Sequence, residues 1–437
     1  MSIPTLQGLS TALSGLLAEQ EELDVTGQNI ANASTTGYSR ESATLETRGP
    51  IDIPSLSAVT GEGAQLGTGV TVETISRIRN AYLDAQYRSQ NSSLSSASTQ
   101  AETLQQAQGA FNEPSSSGLA SQLSNFWTAW STLATNPGSE AAKLTVISAG
   151  QQLATSLKTL SSSLSTVSAQ AGEQLASLTG ASGTVDGYAT QIAQLNTQIR
   201  LSEQAGQPPN EMLDRRDDLL DKLSALGQVT VTTGPGNSDT VSFGDAAKPL
   251  VEGGTVNWPQ TLTAATGGQI GALLGLTAAT GPLASYQTAL NSLASTLANS
   301  VNALQPKSPF FSGTTASTLA VTATVATLQT SAGGAAGGNE LALAVAGLRG
   351  GAAEQGYGAL VEQVGNNVST AQNEQTNYQA TLTAVSNQRQ SVSGVSLDEE
   401  MTNLISFQRG YQASARTLTA MDSMLETLIE HTGVVGL

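Results

Sequence analysis

The sequence predicts an elongated, mainly α-helical protein with a small β insertion, an α+β chain whose two ends lie together. Three observations carry this prediction. Apolar residues recur at alternating steps of three and four near both ends. Five long amphipathic stretches fill much of the space between them. One segment, 227–258, switches to a period of two between glycine-rich turns.

At the N-terminal end the stepping picks out Leu6, Leu9, Leu13, Leu16, Gln20, Leu23, Gly27 and Ile30, of which six are apolar. That is the a/d seam of a coiled-coil helix. It runs into a polar stretch, "QNIANASTTGYSR" (28–40), where a helix end and a loop are expected. Five helices follow, at 80–111, 118–137, 139–178, 185–206 and 210–226, punctuated by Asn136-Pro137 and Pro208-Pro209. Several exceed an average globular helix, which favours aligned rods over a compact bundle.

From Gly227 the pattern becomes that of a strand, with "GPGNSD" as a turn. Helix returns at 268–305, kinked at Gly281-Pro282; 306–340 reads as loop with short strands; helix resumes at 357–390. The C-terminal end repeats the heptad stepping at Leu404, Phe407, Tyr411, Ser414, Leu418, Met421, Leu425 and Leu428. Met401, Ile405, Met424 and Ile429 widen the stripe. Ser396 and Glu399 have the spacing of a capping box, and Asp398, Glu399 and Glu400 suit the positive end of the helix dipole.

The scheme is therefore nested. A terminal coiled-coil unit with its linker takes 1–60 and 395–437. A helical rod takes 61–226, 269–305 and 341–394. A small inserted β unit takes 227–268 and 306–340. Short helices with few heptads are marginal alone, so the ends are expected to be loose in an isolated subunit and ordered among equivalents.

Composition narrows the function. The net charge is −17 although only 12% of residues are charged, which argues against nucleic acid and anionic lipid as partners. No stretch is long and apolar enough for membrane insertion. The first basic residue is Arg40, and Glu19, Glu21 and Glu22 stand where a signal's apolar region would end, so no cleaved secretory signal is expected.

The 437 residues include no cysteine and one histidine, His431. Thiol chemistry and Cys-ligated metals are excluded, a His-based metal site has no second histidine, and His431 near a helix end reads as complementing the helix dipole in preference to acting as a general base. Glycine clusters at 61–69 and 333–338 lack the Gly-Lys-Ser/Thr ending of a phosphate loop. "DRRDDLLDK" (214–222) reads as a solvated helix face carrying ion pairs. Phe126, Trp127 and Trp130 read as a core anchor. No cofactor is expected, and no catalytic set is visible for an enzyme such as a peptidoglycan hydrolase.

The two ends resemble a known family. "LSTALSGLLAEQEELDVTGQNIANASTTGYSRE" (9–41) is similar to the N-terminal signature of bacterial flagellar rod, hook and hook-associated proteins, with Asn29, Ile30, Ala31, Asn32, Gly37 and Tyr38 on its motif positions. "SGVSLDEEMTNLISFQRGYQASARTLTAMDSMLETLIE" (393–430) resembles the matching C-terminal signature. Interior stretches 66–88, 111–154, 210–231 and 290–305 with Phe310-Phe311 resemble the hook–filament junction subunits of that family. Asn80 stands where the pattern leads one to expect an acid, and the inserted β segments are shorter than in many members.

The resemblance implies a structural, non-enzymatic subunit that forms a ring with its own kind in the flagellar axis. Its neighbours would be the hook protein and a second hook–filament junction protein. It also implies an extracellular location, export by the flagellar type III system without a cleaved signal, and a cytoplasmic chaperone on the C-terminal helix. Under it, the seam residues become a subunit interface, and Asn29, Asn32, Gly37 and Tyr38 become a shaped linker. The alternatives are another axial protein, hook or distal rod, and a cytosolic coiled-coil adaptor.

Overall fold

The computed structural model describes residues 4–53, 64–333 and 337–431. The first helix, α1 (Pro4–Asn32), leads through a turn into a β ribbon. In it β1 (Glu41–Thr47) and β2 (Ile51–Ile53) pair antiparallel with β4 (Val70–Arg77) and β3 (Ala64–Leu66). This ribbon is absent from the sequence prediction. Its threonines and valines suit extended backbone, but most of its side chains stay at least partly exposed, so no apolar alternation announces it.

The five predicted helices form within two residues of the expected bounds: α2 (Ala81–Phe111), α3 (Leu119–Thr135), α4 (Glu140–Thr179), α5 (Thr184–Gln204) and α6 (Asn210–Leu226). Asn80 caps α2, its Oδ1 accepting from the Tyr82 and Leu83 amides at 3.0 and 3.3 Å. An Asn is among the strongest residues for that task. At the α2–α3 corner the Glu113 carboxylate accepts from the Ala120 amide and from the Tyr357 hydroxyl, both at 2.9 Å. A side chain at Gly118 would collide with that carboxylate.

The predicted β segment is a four-stranded antiparallel sheet of β5 (Val229–Thr233), β6 (Asp239–Phe243), β7 (Pro249–Glu252) and β8 (Thr255–Val256), in sequence order. The expected 268–305 helix is two helices, α7 (Gly268–Thr277) and α8 (Pro282–Ala303), divided at the predicted Gly281-Pro282. A two-residue pair, β9 (Phe311–Ser312) and β10 (Ala320–Val321), follows. Then come α9 (Glu340–Ala346), the long α10 (Ala352–Ser393) and α11 (Leu397–His431).

The topology is nested. The terminal helices α1 and α11 pair with each other, and inside them α2 pairs antiparallel with α10, as the Ser98–Gln375 and Glu113–Tyr357 contacts show. Two apolar cores fill the body. One joins α2, α3, α4, α8, α9 and α10 around Phe126, Trp127, Trp130, Phe310 and Phe311, all fully buried. The other joins the end of α4 with α5, α6, α7 and the sheet. Residues 306–340, grouped with the sheet in the sequence reading, instead feed the first core through Phe310, Phe311, Leu319 and Leu328. Among the described residues no helix is long and apolar enough to cross a membrane, and no group of three or more acidic, His or Cys side chains could hold a metal ion.

Candidate subunit interface and its anchor

The α1–α11 pair is antiparallel and close. A side-chain carbon at Gly8 would lie 2.9 Å from Met421, one at Gly15 would lie 3.3 Å from Ser414 Oγ, and one at Gly410 would press into Glu19. Small residues let the helices approach, and the antiparallel approach places the start of α1 and the end of α11 at one tip. The β ribbon covers a second face of α1. There Ser14 Oγ donates to the Thr11 carbonyl at 2.8 Å and accepts from the Val70 amide at 3.2 Å. The neighbouring Gly69, at φ +102°, sits so close that any side chain would overlap Ser14.

This second contact shifts the buried side of α1 away from the predicted stripe. Ala12, Ala18 and Val25 are buried with Ser14, Thr26 and Asn29, whereas Leu9, Leu16, Leu23 and Ile30 are only half-buried. Leu13 and Leu17 stand 46% and 53% exposed. On α11 the predicted stripe is half-buried at Leu404, Phe407, Tyr411, Leu418, Met421 and Leu425. Met401, Ile405, Met424 and Ile429 are exposed. The side chains of Leu6, Leu428 and His431 lie outside the described residues, as do 61–63 and 334–336 of the two glycine clusters. The pair thus keeps a broad apolar surface uncovered.

The polar stretch after α1 is a knot centred on Asn29, which is 1% exposed. Its Nδ2 donates to the Glu41 carbonyl at 2.9 Å and to Glu400 Oε2 at 3.2 Å. Its Oδ1 accepts from the Glu41 amide and the Tyr38 hydroxyl, both at 2.9 Å. One amide side chain therefore stands in for a strand, ties the linker and reaches α11. Burial, with Glu41 beside it, pushes the Tyr38 phenol well above its ordinary value, so it remains a donor. Asn32 steadies the turn by donating to the Gln28 carbonyl and accepting from Thr35 Oγ1. Gly37 adopts φ +84°, a conformation that few other residues tolerate, against the Asp218 side chain.

Arg40 carries the knot to α11. It pairs with Glu399 at 2.7 Å and with the almost fully buried Glu400 at 2.8 Å, and its amide donates to the Ser393 carbonyl. Glu399, expected in a capping box, is thus turned toward Arg40; Ser396 keeps its place before the helix, its carbonyl accepting from the Glu400 amide.

The body meets this unit through charge. The segment "DRRDDLLDK" is not a solvated face. Asp214, Asp217 and Asp221 of α6 lie beneath Arg77 of β4, Arg79 of the following loop, Arg88 of α2 and Arg389 of α10. Asp84 completes the set, held by Arg79 at 2.7 Å and Arg389 at 3.0 Å. Arg77 spans Asp214 at 2.6 Å and Asp217 at 2.9 Å; Arg88 spans Asp217 and Asp221, both at 2.9 Å. Asp214 also accepts from the Ser39 amide at 2.9 Å and hydroxyl at 2.7 Å. Arg389 stacks over the Tyr87 ring at 4.6 Å. Of the segment's charges, Arg215 and Lys222 do face solvent, while Arg216 is buried against Asp239 and Asn196 at the edge of the second core. Helical spacing alone cannot tell a wet face from one roofed by arginines distant in sequence.

Burial alone would raise the Asp217 carboxyl; Arg79, Arg77 and Arg88 more than offset this and hold it below the usual carboxylate range. A carboxyl depressed in the fold contributes stability that is full above its unfolded value of about 4 and is lost as pH falls through the folded value. Urea midpoints are therefore expected to drop steeply below about pH 4, and Asp217→Asn to lower the neutral-pH midpoint and flatten that drop. Midpoints equally steep in the variant would contradict it.

Three family models match: "Flagellar hook-associated protein FlgK helical domain" over residues 104–264, "Flagellar basal body rod FlgEFG protein C-terminal" over 386–430 and "Flagella basal body rod protein" over 9–38. The chain is 31% identical to flagellar hook-associated protein 1 of Bacillus subtilis over an alignment covering 99% of both. It is 29% identical to the protein of that name from Salmonella typhimurium over 56% of this chain and 43% of that one, so it aligns with under half of that relative. The flagellar hook junction protein FlgK from Burkholderia pseudomallei superposes with a TM-score of 0.46 at 26% identity, over 52% of this chain and 46% of that one.

Paired ends of the flagellar rod type around a helical body define a structural subunit of the bacterial flagellum. Within that class, the chain belongs to the flagellar hook-associated protein 1 family.

Proposed function

We propose that this chain is the subunit that joins hook to filament, assembling into a ring with its own copies through α1 and α11. The observation that carries the reading is the uncovered apolar surface of the terminal pair: Leu13, Leu17, Met401, Ile405 and Met424 stay exposed beside half-buried seams. Each such side chain removed from water contributes roughly 1.5–3 kcal/mol, and several per subunit, repeated around a ring, would hold it. The seam residues named from the sequence would then divide between contact within the chain and contact between subunits.

In this reading the hook protein and a second junction protein are the axial neighbours. The chain acts as a structural part, not a catalyst, outside the cell. It leaves by the flagellar type III route without a cleaved signal, with a chaperone on α11 in the cytoplasm. The knot at Asn29 and Tyr38 fastens the linker after α1 to β1 and α11 within the terminal unit. Matches of the rod models are confined to the ends, while the hook-associated model covers 104–264, which favours the junction over a rod or hook position.

A deletion strain is expected to carry hooks without filaments and to shed flagellin into the medium, and plasmid-borne protein to restore filaments. Normal filaments in the deletion strain would refute the junction role. Protein confined to the cytosol would favour the adaptor alternative.

A further inference from the structure

The two apolar cores stop short of the terminal unit. The first draws on buried residues from Ala101 to Ala371 and the second from Ala171 to Leu273. The unit made of α1, α11 and the ribbon is attached to the body by polar contacts. Among the described residues they include Ser39 and Arg77 on Asp214, Arg77 on Asp217, Arg79 on the Ser39 hydroxyl at 3.3 Å, Asn210 Nδ2 on the Ile75 carbonyl at 3.0 Å and the Arg40 amide on the Ser393 carbonyl at 2.9 Å. Chain crossings are short: three residues, 78–80, between β4 and α2, and three, 394–396, between α10 and α11.

The contact is charge-balanced, with Arg77, Arg79, Arg88 and Arg389 against Asp84, Asp214, Asp217 and Asp221. Its members come from β4, the β4–α2 loop, α2, α6 and α10, so five pieces of the chain meet in one bonded set. Bonds of this kind are directional and fail together when a member is lost, because its partners are left buried and unpaired. An apolar contact of equal area would slide; this one has a defined seat.

We infer that the arginine–aspartate cluster is a directional joint: intact, it holds the α1–α11 unit at one angle to the body, and without the Asp214 charge it lets the unit swing while both cores stay folded. Asp214 is the pivot because it alone takes the Ser39 amide, the Ser39 hydroxyl and Arg77 together. The joint is a property of the single chain and does not depend on what the assembled subunit adjoins.

The natural chain has no cysteine, so two labels can be placed cleanly. Gln105→Cys on α2 and Gln408→Cys on α11 are exposed positions in the body and the terminal unit. Gln408 stands near the base of α11, close to Glu400 of the Asn29 knot and away from the tips expected to be loose, so spin labels there are expected to give one narrow distance in the full-length parent at neutral pH. With Asp214→Asn the distribution should become roughly twice as wide or more, as for a hinge released between rigid units. Far-UV circular dichroism and the near-UV signal of the tryptophan core should be unchanged. Should Asp214→Asn unfold the body, Ser39→Ala with Arg77→Gln, which cuts the joint from the terminal side, should broaden the distance instead. A parent distribution already broad, or a folded variant with the parent's width, overturns the inference.

Discussion

Leu13→Glu with Leu17→Glu is expected to abolish incorporation into the flagellum while leaving the subunit folded. Both leucines lie on α1 about half exposed, at 46% and 53%, so a charge there meets water in the single chain. In an assembled ring the same positions would be dry. A carboxylate carried into such a contact loses the leucine's roughly 1.5–3 kcal/mol and adds a desolvation cost of several kcal/mol. Repeated in every subunit, that is enough to stop assembly. Sheared hooks and filaments probed with an antibody would show the variant missing, and circular dichroism would show the helices retained. Normal incorporation would remove the basis for placing the interface on this face. Leu418 is a poorer target: it is half-buried, so its replacement also damages the pair within one chain.

Trp130→Ala should destabilise the body more than any exposed substitution, by about 3–5 kcal/mol on the scale of large aromatic truncations. Its ring lies 5.5 Å from Phe310 and 6.3 Å, edge-on, from Phe126; Phe126 in turn meets Phe311 at 5.7 Å, and Phe310 meets Phe311 at 4.7 Å. These rings join α3 to the 306–340 segment, and a side-chain carbon at Gly150 of α4 would strike Phe310 at 2.7 Å. A gap left by the indole could not close without moving three elements. The urea midpoint followed by far-UV circular dichroism measures it; a loss under about 1 kcal/mol would mean the cluster tolerates cavities well beyond the usual range.

The helices were legible because each carries its own period and punctuation. Asn136-Pro137, Pro208-Pro209 and Gly281-Pro282 mark real breaks, and the Phe126, Trp127 and Trp130 anchor sits where helical spacing puts it. What escaped depends on partners remote in sequence. The ribbon of β1 and β4 owes its existence to backbone pairing and to the close seat of Gly69 on Ser14, neither of which leaves an apolar pattern. The acidic face of α6 looked like any wet helix because its arginines come from residues 77–88 and from 389. On α11 the half-buried residues Leu404, Phe407, Tyr411, Leu418, Met421 and Leu425 follow the heptad steps because α11 has one principal neighbour, whereas α1 has two and buries its alanines ahead of its leucines. The number of arginines near the β4–α2 turn was the available hint, since three in so sparsely charged a chain call for counterparts.

The pairing of α1 with α11 also bears on how the molecule comes into being. Asn29 and Glu400, bonded across it, stand 371 residues apart in sequence. Closing a loop of that length costs about 5 kcal/mol of chain entropy, and the closing partner is synthesised hundreds of residues after α1. A nascent chain on the ribosome therefore carries α1 without its mate, while the local helical hairpins of the body can already form. Among the described helix pairs, α1–α11 therefore carries the widest sequence separation, and the hairpins of the body can close before it does.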